Sequence, residues 1–269
     1  MALPITWPSA QHIYLSPHLD DVIFSCGGTI AQQVQRGEAI AAIAVFAGSP
    51  PPDISLSPFA RSLHERWQAS APPDVDFSDP AAVRRAEDRR AFATISPAIQ
   101  VIHLSLPECI YRLDPTSGQA LYASEEAIFG EIQPTDPAYA LLHTAPPLPA
   151  GATLYVPLGA GHHVDHLIVR QAVERWGLPP NSVRYYEDYP YAEEEAAIQA
   201  ALEKGARWRA LVNPLDEAAL ASKIGAMAQY RSQISTFWHS MEAMAAAMRR
   251  YTARIGGERM WIRARAQAD

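Results

Sequence analysis

Two short stretches concentrate the side chains able to do metal-assisted chemistry. The first is Ser16-Pro17-His18-Leu19-Asp20-Asp21. The second is Gly159-Ala160-Gly161-His162-His163-Val164-Asp165-His166. Together they supply imidazoles and carboxylates, with no cysteine nearby in the chain. A His₂Asp set that leaves coordination positions open suits Zn²⁺ or a related divalent ion acting on a water. Asp20 and Asp21 are adjacent on a tight loop, so their side chains point in different directions. One carboxylate can ligate a metal while the other takes a proton from the water. His163 and His166 are three apart and share a face if a helix has begun there. One can then bind the metal while the other stands beside the substrate. Taken singly, His-x-x-His is common and Asp-Asp is an ordinary helix cap. Their joint occurrence after two strands carries the reading.

The flanking residues predict what holds these stretches. Ile13 to Leu15 is a β-prone run that stops at Ser16-Pro17, and Ala39 to Phe46 is a continuous apolar run between glycines. Residues 12–47 thus read as strand, loop, helix and buried strand, with the loop passing Gly27-Gly28 and the helix over Thr29 to Gln35. Thr153 to Val156 is a second buried strand, followed by a helix from Val164 to Trp176 closed by Gly177. Both reactive stretches then sit at carboxyl ends of strands, where open parallel sheets hold their ligands. Further helices are predicted over Phe59–Ala69, Ala81–Thr94, Ala192–Lys204 and Glu217–Ser232. Further strands are predicted over Val101–Leu104, Val183–Tyr186 and Trp208–Val212. The tail Arg254 to Ile262 reads as a strand or hairpin, and Asp114 to Pro149 as a long excursion beside the site. The alternation predicts a single α/β domain over residues 1–269.

Composition narrows the function classes. The 269 residues are 48% hydrophobic and 19% charged, which fits a folded globular chain. A net charge of −7 without a basic block argues against nucleic-acid binding. Two cysteines, Cys26 and Cys109, cannot build a disulfide framework or a Cys₄ metal site. The longest apolar run is too short to span a bilayer, and the first residues lack a signal peptide's basic and apolar regions. The expectation is a cytoplasmic protein that engages no membrane.

At this point the motifs resemble a known family. Pro17-His18-Leu19-Asp20-Asp21 is similar to the Pro-His-Pro-Asp-Asp signature of the PIG-L/LmbE-like zinc deacetylases, and His163-Val164-Asp165-His166 to that family's second motif. Val83 to Asp88 resembles its Arg-x-x-Glu-Asp helix, and Tyr185 to Tyr191 and Lys223 to Gln233 resemble later segments. The resemblance implies a Rossmann-like three-layer sandwich with a mostly parallel central sheet. It implies removal of an N-acetyl group from an amino-sugar-containing small molecule. By motif position, His18, Asp21 and His166 would ligate Zn²⁺, with Fe²⁺ or Co²⁺ as substitutes. Asp20 would be the general base. His163 would stabilise the oxyanion or protonate the leaving amine, with Asp165 orienting its ring. Leu19 departs from the signature, Val22 stands where many members carry Glu, and His162 is an extra histidine beyond a filled ligand set.

Other residues carry two readings. Arg84 is a solvated helix residue or a donor to a sugar hydroxyl or phosphate. Glu187 and Asp188 form a strand-end turn or line the pocket. Tyr185, Tyr186, Tyr189 and Tyr191 pack in the core or stack on a sugar. Cys26 is a small buried hydrophobe, and Trp67 and Trp238 are packing residues. Two alternative functions remain: an amidase for a thiol conjugate or a longer N-acyl group, and a non-catalytic Rossmann-like nucleotide or sugar binder using Gly27-Gly28 as a phosphate loop. A homo-oligomer joined through the tail is compatible with the sequence but not required by it.

Overall fold

The computed structural model describes residues 6–263 except 143 and 203–205. In chain order the elements are β1 (His12–Ser16), α1 (Asp21–Gln35), β2 (Ile40–Ala44), α2 (Pro58–Ser70), α3 (Pro80–Ile95), β3 (Gln100–His103), α4 (Glu125–Ile128), α5 (Pro137–Leu141), β4 (Thr153–Pro157), α6 (Val164–Arg175), β5 (Val183–Tyr186), α7 (Glu195–Ala201), β6 (Trp208–Asn213), α8 (Glu217–Met227), α9 (Arg231–Phe237), α10 (Met241–Ile255) and β7 (Glu258–Arg263).

The strands form one seven-stranded sheet in the order β3-β2-β1-β4-β5-β7-β6. The five strands from β3 to β5 run parallel, and β7 is antiparallel to both β5 and β6. From β1 the chain builds outward through β2 and β3, then returns to place β4 on the other side of β1. This reversal opens a crevice at the carboxyl ends of β1 and β4. Right-handed crossovers running in opposite directions put α1 and α6 on opposite faces of the sheet. The strands beneath are buried on both faces, so β2 (Ile40–Ala44) is apolar throughout.

Several boundaries differ from the sequence expectation. Gly27 and Gly28 lie in the middle of α1, which begins directly at Asp21. A Cβ on Gly27 would come within 3.0 Å of Lys223 Cγ on α8, and one on Gly28 would overlap Leu215. The Gly28 N–H donates to Glu258 Oε1 at 3.0 Å. These glycines therefore admit close neighbours to a helix and form no phosphate loop. The predicted helix over Glu217–Ser232 is two helices, because Tyr230 leaves helical geometry (φ −84°, ψ 60°) and its hydroxyl donates to Asp88 Oδ1 at 2.6 Å. α10 was not anticipated, although Ser240 caps its start and left-handed Gly256 its end. The tail accordingly divides: Arg254 and Ile255 finish α10, and β7 is an inserted strand rather than a hairpin. The helix predicted up to Lys204 is a short turn followed by α7, and Lys204 lies outside the described residues. Among the described residues, no helix is long and apolar enough to cross a membrane.

Candidate active site

The two reactive stretches meet at the crevice. β1 delivers His18 and Asp20 on its exit loop and Asp21 as the first residue of α1, while His163 caps α6 and His166 lies one turn into it. The exit loop is fastened locally. Ser16 Oγ donates to the His18 carbonyl at 2.6 Å and accepts from the Val22 N–H at 3.2 Å. The His18 N–H donates to Asp21 Oδ2 at 2.7 Å.

Asp21 Oδ2 lies 3.4 Å from His18 Nδ1 and 3.4 Å from His166 Nε2. Two ligands about 2.0–2.1 Å from a tetrahedral metal stand about 3.3–3.4 Å apart, so this spacing fits donors arranged around a cation. The opposite ring nitrogens are engaged by carboxylates: His18 Nε2 with Asp165 Oδ2 at 2.9 Å, and His166 Nδ1 with Asp188 Oδ1 at 2.7 Å. Such partners place the proton on the outer nitrogen and leave the inner lone pair free. Without a metal, burial works against charging the two imidazoles, but the flanking carboxylates outweigh it and raise both. With one bound, the same outer partners would leave the lone pairs of His18 Nδ1 and His166 Nε2 for it. The donor set fits a divalent metal.

Charge reinforces the arrangement. Burial works against ionising Asp21, but His166 and His18 outweigh it and hold the carboxyl below its usual range. Asp165 is likewise held low, because Arg112 and His18 overcome its burial. Asp20 behaves oppositely: burial and the neighbouring Asp21 carboxylate raise it to about 8, against the pull of Arg84 and His18. Burial, then His18, pushes His163 well below the ordinary imidazole value. His163 Nδ1 accepts from the Asp165 N–H at 3.3 Å, which assigns its ring proton to Nε2, 4.0 Å from Cys109 Sγ.

One sequence-based pairing is corrected. Asp165 does contact His163, but through its backbone N–H. Its carboxylate instead holds His18 Nε2, accepts from the Cys109 N–H at 3.0 Å and lies 2.6 Å from Arg112 Nη2. The i,i+2 spacing at the start of α6 offers His163 the main chain, not the carboxylate.

A cavity of about 320 Å³ opens onto His18, Asp20, Asp21 and His163. Phe59, Leu63 and Trp67 of α2, Ile128 and Phe129 of the excursion, Tyr191, and Phe237 of α9 form its apolar walls. Arg84 also lines it, buried and paired with Glu108, its guanidinium 4.7 Å above the Trp67 ring and 3.9 Å from Asp20 Oδ2. Glu187 does not join. It is buried away from the cavity, where it takes bonds from Tyr251 Oη, Trp261 Nε1 and Arg259. Alternation along β5 and its exit sends Glu187 toward β7 and leaves Asp188 facing the site. Of the four tyrosines only Tyr191 reaches the cavity; Tyr185, Tyr186 and Tyr189 are core residues. His162 is exposed, with a left-handed backbone (φ 65°), and borders a separate cleft of about 740 Å³. That cleft is larger, but it lacks the converging His and Asp donors.

The sequence offers Asp188 only as a strand-end turn or pocket-lining residue, not as the partner of His166, and it assigns no role to Glu108, Arg112, or to the α9 residues Gln233 and Phe237. The only signal for Asp188 was its place directly after a parallel strand.

Comparison with known proteins bears on this site. Residues 13–176, which contain both motifs, match the family described as PIG-L: GlcNAc-PI de-N-acetylase. The chain is 28% identical over 190 residues to the 2'-N-acetylparomamine deacetylase of Niallia circulans, covering 68% of each chain. It is also 28% identical over 190 residues to the Streptomyces fradiae enzyme of the same name, covering 69% of this chain and 59% of that one. Among solved structures it resembles the zinc-inhibited form of the teicoplanin deacetylase Orf2, at 25% identity and a TM-score of 0.73. That match covers 96% of this chain and 99% of the other.

Proposed function

The chain belongs to the PIG-L family, and from that premise we propose that it is a metal-dependent hydrolase removing an N-acetyl group from an amino-sugar-containing small molecule. The observation that carries this reading is the approach of His18 Nδ1 and His166 Nε2 each to 3.4 Å from Asp21 Oδ2, with both outer imidazole nitrogens held by carboxylates. The acetylated amino-sugar class is supported by the names of the 2'-N-acetylparomamine deacetylases.

His18, Asp21 and His166 would hold the metal, Zn²⁺ by their donor chemistry, with Fe²⁺ or Co²⁺ able to fill the same set. When bound, such an ion polarises the acyl carbonyl and acidifies water. Asp20 faces the same cavity and does not share the Asp21 contacts to the imidazoles. Once ionised, a state that a cation held beside Asp21 would favour, it takes the proton of the attacking water and holds it while the tetrahedral centre forms. His163, neutral with its proton on Nε2, donates a hydrogen bond to the developing oxyanion. The proton on Asp20 then passes to the departing nitrogen, and acetate and a free amine result. Arg84 contributes by binding a substrate hydroxyl at the cavity wall, alongside its ion pair with Glu108.

Residues 1–269 act as a single domain in this reading, supported by a sheet whose strands come from both ends of the described chain. The apolar walls support a second reading of the substrate, a longer N-acyl group, which the same assay separates. Purified protein is analysed for bound metal and assayed for amine release from N-acetyl and longer N-acyl amino sugars, with and without chelator. The expected result is chelator-sensitive release with restoration by Zn²⁺. Full turnover in metal-free protein sinks the proposal.

A further inference from the structure

The carboxylate at the back of the metal centre is held by a residue outside both motifs. Asp165 is fully buried, and so is Arg112, which lies beyond the short helical turn Cys109–Tyr111. Arg112 Nη2 is 2.6 Å from Asp165 Oδ1 and 2.8 Å from Asp136 Oδ2. Arg112 Nε donates to Asp136 Oδ2 at 3.1 Å, and Nη1 donates to the Pro107 carbonyl at 3.2 Å. Asp136 also accepts from Tyr122 Oη at 2.8 Å and caps α5 through the Ala138 N–H at 2.9 Å. The guanidinium lies over the rings of Phe46 and Tyr122, at 4.9 and 5.4 Å. One unbroken line of contacts thus runs from Tyr122 through Asp136, Arg112 and Asp165 to His18.

We propose that Arg112 is a positioning residue for the metal centre, pinning Asp165 so that His18 keeps Nδ1 turned to Asp21, and tying the cavity wall over residues 107–136 to that centre. The argument is electrostatic and geometric. Two buried carboxylates face one guanidinium: its Nε and Nη2 fork onto Asp136, and the same Nη2 makes the ion-pair contact to Asp165 Oδ1, so one permanent charge offsets both. Asp165 in turn sets the ring of His18 only if its own carboxylate is fixed. The segment carrying Arg112 also supplies Glu108, Cys109, Ile110, Ile128 and Phe129 to the cavity. An interaction shared by metal centre and wall links them in both directions: whatever the ordered wall adds to metal affinity, bound metal returns as wall stability.

The inference rests on the proposed role of His18 as a ligand, and the experiment separates the two. Zn²⁺ affinity of metal-free protein is measured by competition with a chromophoric chelator for wild type, His18→Ala, Arg112→Gln, Arg112→Lys and Asp136→Asn. Hydrogen exchange of residues 107–136 is followed with and without Zn²⁺. Arg112→Gln should lose about 10–100-fold in affinity, the range expected when a partner outside the ligand set is lost. Arg112→Lys should recover part of that loss, since its point charge neutralises Asp165 but cannot also fork onto Asp136. Zn²⁺ should slow exchange across 107–136 in wild type and much less in Arg112→Gln. A role confined to folding would lower the unfolding temperature of the metal-free protein and leave Zn²⁺ affinity unchanged, which overturns the proposal. If Arg112→Gln does not fold, Asp136→Asn, which loosens Arg112 from its far side, decides by the same two readouts. Full Zn²⁺ affinity in His18→Ala removes the metal-centre reading itself. Loss there with unaltered Arg112 and Asp136 variants removes only the role of Arg112.

Discussion

Replacing Asp188 by Asn tests the tautomer argument with almost no change of shape. Asp188 Oδ2 accepts from the Gly159 and Ala160 N–H groups at 2.8 and 2.9 Å, and Oδ1 engages His166 Nδ1 at 2.7 Å. An amide has one acceptor and one donor end. Turning its NH₂ toward the two backbone donors would leave both unpaired in a buried site, at about 1–3 kcal/mol each. The favoured orientation keeps the amide oxygen on the backbone and points NH₂ at His166 Nδ1. The imidazole must then carry its proton on Nε2, the nitrogen facing Asp21, and a metal has to work against that tautomer. Asp188→Asn should lose about 10–100-fold in Zn²⁺ affinity, about 1.4–2.7 kcal/mol. The metal-free protein, with both backbone donors still paired, should unfold near the wild-type temperature. Chelator competition measures the first quantity, thermal denaturation the second, and ¹⁵N NMR of the imidazoles reports the tautomer. Wild-type Zn²⁺ affinity in a variant whose His166 has switched tautomer would refute the reasoning.

Other outcomes follow from the same contacts. Asp20→Asn should retain bound metal, by elemental analysis, while kcat falls about 10²–10⁴-fold, the usual contribution of a general base; undiminished kcat removes Asp20 from that role. Gly161 has a left-handed backbone (φ 84°), and a Cβ there would come 2.5 Å from Tyr191 Cγ. Gly161→Ala should lower thermal stability by about 2–4 kcal/mol from backbone strain and overpacking combined, and raise KM by displacing Tyr191 in the cavity wall. Asp114 is held down to about 2, first by the Thr135 hydroxyl and then by the Ser117 and Thr116 N–H groups, against an ordinary value of 3.8. Its folded pKa is depressed, so its contribution to stability is present above about pH 3.8 and disappears as pH falls through about 2. A carboxyl ¹³C titration should show that midpoint, and Thr135→Val should move it upward.

The sequence alone determined the two reactive stretches, their places after β1 and β4, and the parallel α/β character of the sheet. These depend on local patterns. An apolar run between glycines must be a buried strand, and polar residues that follow it must emerge at its carboxyl end. His18, Asp20, Asp21, His163 and His166 were legible for that reason, because each lies in the stretch that directly follows a strand end. The break between α8 and α9 was not, since the residues around Tyr230 suit a helix and leave it only to reach Asp88. Gly27 and Gly28 were misplaced because a glycine pair reads as a loop until the helix packed against it is known. Tertiary structure alone decided that Asp165 serves His18 through its carboxylate, that Asp188 rather than Glu187 supports the site, and that Arg112 stands behind it. These partners are tens to more than a hundred residues apart in the chain. Their meeting is governed by the order of strands in the sheet and by which face each side chain takes, and neither leaves a mark on short-range spacing.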